Sequence, residues 1–73
     1  MEFEKIAIKE DFIKLDSALK LANFCVTGGH AKIVIQNGEV KVNGEVCTMR
    51  GKKLYSGFTA EFENNGLVVE NGS

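Results

Sequence analysis

Few side chains in this sequence could carry out a reaction. His30 is the sole histidine, and Cys25 and Cys47 are the two cysteines. Cys25 and His30 put a nucleophile near a base, yet no orienting acid and no oxyanion-binding loop accompanies them. One histidine without a second, and without a close cysteine pair, falls short of the ligand set of a tetrahedral zinc site. These residues predict no enzyme, no metal and no cofactor. Gly28-Gly29 stands where a helix can begin and could offer backbone N–H groups to a phosphate. The Gly-rich spacing and the lysine–serine pair of a nucleotide loop are absent. The remaining chemistry is that of cations. Lys14, Lys20, Lys32, Lys41, Arg50, Lys52 and Lys53 lie between Phe12 and Ala60 with only three acids, Asp16, Glu39 and Glu45, a net of +4. The two ends carry −5, which brings the whole chain to −1. A basic middle between acidic ends permits one face that attracts polyanions.

Residues 27–44, TGGHAKIVIQNGEVKVNG, must position much of that charge. Thr27 suits a helix N-cap, because its hydroxyl can accept from a backbone N–H of the first turn. A helix is predicted over Gly28–Gln36, with Ala31, Val34 and Ile35 on one side and Lys32 pointing away. Gly38 can take the left-handed conformation that stops it. Val40, Lys41 and Val42 then alternate as a strand. Asn43-Gly44 is the strongest short-range hairpin signal, a type I′ turn, and leads to a strand at 45–48.

The flanking stretches have their own periodicities. Phe3–Ile8 reads as an edge strand. Glu10-Asp11 opens a first helix, in which Phe12, Leu15, Leu19 and Ala22 recur at spacings of three and four. Lys14 and Lys20 fall on its solvent side, and Asn23 ends it. Phe24 or Val26 is expected to plug the gap between the helices. Residues 49–53 form a basic loop, Leu54-Tyr55 a short strand and Ser56-Gly57 a turn. Thr59–Phe62 is a strand, and a turn at 64–66 leads to an edge strand at 67–70. Residues 71–73 are expected to be a flexible tail. Phe12, Phe24, Phe58 and Phe62 are all assigned to the core, which leaves no exposed aromatic pair for stacking bases.

Length and composition bound the rest. A chain of 73 residues is one domain, and one this small buries only about 60% of its unfolded surface. It is 44% apolar and 26% charged, like an ordinary globule. No apolar run approaches the roughly 20 residues of a membrane span. The charged N-terminus has no apolar signal region, so the cytoplasm is expected, with both cysteines as reduced thiols.

Three groups of residues, in this order, resemble the S4 RNA-binding domain. They are Leu15-Asp16 with Leu19; Ala31-Lys32 with Ile35 and the run Gly38-Glu39-Val40-Lys41-Val42-Asn43-Gly44; and Arg50-Gly51-Lys52-Lys53-Leu54 with Gly57. The Thr27-Gly28-Gly29 start is similar to that of the small stand-alone S4-like proteins of the YaaA/YbcJ type. The resemblance runs over residues 12–62. It implies an α+β fold, the αL motif, with two short packed helices against a small, mostly antiparallel twisted sheet. It implies a single domain over 1–70 and structured RNA, ribosomal or transfer, as the partner. It also implies an RNA face on the second helix and adjacent loops. Carried onto this chain, that face comprises Lys14, Lys20, Gly28, Gly29, His30, Lys32, Lys41, Arg50, Lys52 and Lys53. A typical member has arginine where this chain has Gly28; here two glycines let the backbone itself approach a phosphate. The alternative is a protein-interaction module on the same fold that has lost its RNA, in keeping with the negative net charge.

Overall fold

The computed structural model describes residues 2–72. Along these residues run β1 (Phe3–Ile8), β2 (Phe12–Lys14), α1 (Leu15–Leu21), α2 (Gly28–Gln36), β3 (Val40–Val42), β4 (Glu45–Val46), β5 (Lys53–Tyr55), β6 (Thr59–Phe62) and β7 (Asn65–Asn71). Five strands make one sheet in the order β1-β7-β6-β3-β4, and β2 pairs with β5 separately. Every pairing is antiparallel except β1 with β7, which is parallel. The fold is α+β, with two helices on a mostly antiparallel sheet, as the sequence predicts.

Strand alternation decides where the core sits. Ile6, Ile8, Val40, Val42, Ala60, Phe62, Leu67 and Val69 point to one face of the large sheet. Against them pack Leu15, Ala18 and Leu19 of α1 and Ala31, Val34 and Ile35 of α2. Helices of seven and nine residues do not persist alone in water, so this burial is what makes them helical. A fully buried Leu or Ile contributes about 1.5–3 kcal/mol by leaving water.

The two helices stop in the same way. Asn23 (φ 64°) and Gly38 (φ 77°) each take the left-handed conformation just past the helix end. Asn23 and Phe24 donate N–H bonds back to the carbonyls of Lys20 and Leu19, and Gly38 and Glu39 do so to Ile35 and Val34. These paired bonds satisfy carbonyls the helix leaves open. Thr27 caps α2, its Oγ1 accepting from the His30 N–H at 3.1 Å.

Several local expectations change. Residues 12–14 are strand, not the first turn of a helix, with Phe12 opposite Tyr55, Ile13 opposite Leu54 and Lys14 opposite Lys53. Phe12 and Leu15 share helical spacing by coincidence, and the partner strand that claims Phe12 lies far along the chain. β7 is interior, between β1 and β6, rather than an edge. Its turn comes earlier than expected, at Glu63-Asn64, with Phe62 opposite Asn65. A two-residue turn replaces the expected turn at 64–66. The observed one lets β7 run for seven residues. Asn71 pairs with Ile8, and the Gly72 N–H donates to the Ile8 carbonyl at 2.9 Å. The tail expected at 71–73 is therefore strand and strand end at 71 and 72, and Ser73 lies outside the described residues. β4 stops at Val46. Cys25 is buried in the core, whereas Phe24 is half-buried and Val26 is exposed.

Candidate nucleic-acid interface

No side chain caps the start of α1. Two of the open N–H groups there are taken by the basic loop instead, and the Ser17 N–H donates to Asp16 Oδ1 at 2.7 Å. Leu15 N–H donates to the Lys52 carbonyl at 2.9 Å, and Asp16 N–H to the Arg50 carbonyl at 3.2 Å. The backbone of the loop is thus tied to the helix while the Arg50 and Lys52 side chains stay exposed. Lys53 follows in β5, directly opposite Lys14 of β2. Like charges in such a pair destabilise a sheet. Among the described residues the one ion pair is Lys5–Glu70, at 3.7 Å, so neither lysine has a carboxylate partner. Lys14, Arg50, Lys52 and Lys53 therefore gather at the N-terminal end of α1. Lys14 reaches this place from a strand, not from the helix on which the sequence placed it.

A second group forms at the other end of α1. Lys20 Nζ lies 3.9 Å from where a Cβ on Gly28 would be, which sets an ammonium group beside the first turn of α2. Gly29 follows in that turn. Lys32 stands four residues after Gly28, on the same stripe of α2. His30 is exposed, its ring edge-on to Phe62 with centroids 6.3 Å apart. A seven-residue helix is roughly 10 Å long, so α1 spaces the two groups by about that distance. Lys41 stands apart from both. It alternates with buried Val40 and Val42 and lies opposite Glu61 on the face of the sheet turned away from the helices.

The sequence reading missed one feature of the first group. Phe62 is buried, but Phe12, Phe24 and Phe58 are only half-buried and Tyr55 is exposed. Tyr55 meets Phe12 at 5.9 Å and Phe58 at 5.7 Å between ring centroids. Lys53 Nζ sits 4.9 Å above the Phe12 ring. The expectation that all four phenylalanines lie in the core is thereby corrected. A signal existed in Phe12-x-Lys14 and Lys53-x-Tyr55, which alternate at the period of a strand.

Burial, helped by the Glu63 carboxylate, pushes the Cys25 thiol up, which makes it a poor nucleophile at neutral pH. Among the described residues no three His, Cys, Asp or Glu side chains gather as a metal site, and no helix is long and apolar enough to cross a membrane.

Comparison with known proteins places the fold. The S4 domain family matches residues 6–70, so the chain belongs to the S4 domain family. It is 43% identical over 61 residues to "Probable ribosome maturation protein RlbA" of Bacillus subtilis (strain 168), covering 84% of this chain and 86% of that one. It is 36% identical over 61 residues to YbcJ of Escherichia coli (strain K12), covering 84% of this chain and 87% of the relative. The solution structure of E. coli YbcJ, described as revealing an αL motif involved in RNA-binding, superposes with a TM-score of 0.73 at 31% identity, covering 96% of this chain and 90% of that one.

Proposed function

We propose that this protein binds structured RNA, ribosomal or transfer, through the two cation groups that α1 joins. Lys14, Arg50, Lys52 and Lys53 form one contact. Lys20, Gly28, Gly29 and Lys32 form the other, with His30 at its rim. The observation that carries the reading is the Lys14–Lys53 pair, two lysines directly opposite each other on the β2–β5 ladder without a carboxylate. A polyanion relieves that repulsion, and folded RNA is recognised largely through its shape and backbone. The ribosome-maturation name of the B. subtilis relative and the RNA-binding description of the YbcJ structure support the same class of ligand. Lys41, on the outward face, is left out of this surface. The protein acts as a binding module rather than an enzyme, as one S4-like domain over residues 1–70, in the cytoplasm where such RNA resides.

The test is a titration of a short hairpin RNA at about 50 and 200 mM salt. Four phosphate contacts, each with a slope of about −0.7 to −0.9, lower affinity roughly a hundredfold between those conditions. Replacing Arg50, Lys52 and Lys53 together with alanine should weaken binding and flatten the slope by about three contacts' worth. The fold should survive, since all three side chains are exposed. Wild-type affinity and slope in the folded triple variant would rule out this surface. No binding by the wild type at low salt would favour the protein-interaction reading, for which the open edge of β1 offers a strand to pair with.

A further inference from the structure

The β2–β5 pair has two unlike faces. Ile13 packs against the core and Leu54 is fully buried, so both point inward. The alternating residues Phe12, Lys14, Lys53 and Tyr55 share the other face, with Phe12 opposite Tyr55 and Lys14 opposite Lys53. A tight turn adds a third ring. Phe58 N–H donates to the Tyr55 carbonyl at 2.9 Å, with Gly57 at φ 92°, and brings Phe58 beside Tyr55 at an interplanar angle of 66°. Phe12 meets Tyr55 at 53°. Both neighbours are tilted against Tyr55 and neither lies flat upon it, and the residue is 43% exposed. The Lys53 ammonium already sits over Phe12, which leaves Tyr55 as the open ring.

An apolar cross-strand pair is reason enough for Phe12, because a two-stranded sheet needs one. It does not account for a half-open tyrosine next to two lysines placed directly opposite each other. An exposed ring beside cations that have no carboxylate partner suits one ligand chemistry, a nucleotide. A base stacks on the ring, and the flanking phosphates meet the ammonium groups. Two residues along a strand span about 6.6 Å, a gap that flexible lysine side chains readily bridge.

We propose that this face is a base-stacking subsite, in which Tyr55 receives one unpaired base of the RNA while Lys14 and Lys53 hold the phosphates beside it. The inference rests on the RNA-binding reading and narrows it. The ligand is a folded RNA with a bulged or looped-out nucleotide at the contact, since bases stacked within a duplex cannot reach a protein ring.

Two short hairpin RNAs differing only by one bulged adenosine test it. The wild type should bind the bulged RNA roughly tenfold tighter. With 2-aminopurine at the bulge, binding should change the fluorescence of the base. Tyr55→Phe should keep the preference. Tyr55→Leu, which retains apolar volume against Phe12 and Phe58, should abolish it and leave the salt slope unchanged. Equal wild-type affinity for the two RNAs overturns the subsite and leaves RNA binding standing, and needs no variant to fold. A preference that survives Tyr55→Leu also overturns it. Failure of both RNAs to bind removes the RNA-binding reading and this inference together.

Discussion

Lys14→Glu should make the protein more stable and a poorer RNA binder at once. Lys14 faces Lys53 across the β2–β5 ladder with no carboxylate to offset the repulsion. Turning a like pair into an opposite pair contributes about 0.2–1 kcal/mol. Lys14 is also the residue just ahead of α1, where a carboxylate complements the helix dipole by about 0.3–1 kcal/mol. Both groups are exposed and screened by solvent, so the lower half of the sum applies, about 0.5–1 kcal/mol. For a domain of this size that raises the melting temperature by roughly 2–8 °C. The gain should shrink at high salt, as screening weakens both terms. On RNA the same change removes a cation and adds an anion, so affinity should fall most at low salt and the salt slope flatten by about 0.7–0.9. Circular-dichroism melting and titration of a short hairpin RNA read the two effects. A variant that melts lower than wild type would refute the repulsion argument. One that melts higher yet binds RNA with unchanged affinity and slope would place Lys14 outside the interface.

Leu19 is fully buried between the helices and the sheet, so Leu19→Ala should cost about 2–5 kcal/mol in chemical denaturation; a loss below about 1 kcal/mol would mean that α1 is not packed as described. Asn43 (φ 52°) and Gly44 (φ 86°) form the I′ turn, and no heavy atom lies within 4 Å of a Cβ built on Gly44. The roughly 1–3 kcal/mol cost of Gly44→Val is therefore a backbone cost. Asn43 Oδ1 accepts from the Thr59 N–H at 2.9 Å, so amide shifts should spread from 42–46 to Thr59; an unchanged spectrum there would refute the turn assignment. The raised Cys25 thiol should alkylate more slowly than Cys47 at a pH of about 8, and equal rates would contradict its burial. The thiolate is penalised only in the folded chain, so this part of the stability is held at neutral pH and lost as pH rises past about 8.5–9.

The helix–hairpin unit from Thr27 to Gly44 was legible because each of its signals acts within a few residues. Thr27 caps its own first turn, Gly38 ends its own helix, and Asn43-Gly44 closes its own hairpin. The buried face of α2, with Ala31, Val34 and Ile35, follows from helical spacing alone. The order of the S4 pattern, read along the chain, pointed to the family. The strand at 12–14 was not legible, because residues 53–55 decide its conformation across the ladder. The inner place of β7 was not legible, because its second neighbour, β1, comes from the far end of the chain. Its parallel pairing with β1 joins the two ends of the chain and leaves no local trace.

The sequence by itself determined which cations the interface has to draw on, and tertiary structure alone decided how they are grouped. Lys41 carries the same charge as Lys53 and lies near the family's most recognisable hairpin. The pleat of β3 turns it away from the helices, because Val40 and Val42 must face the core. Arg50 and Lys52 join Lys14 because the uncapped N–H groups of α1 need acceptors, and the nearest carbonyls belong to a loop more than thirty residues further on.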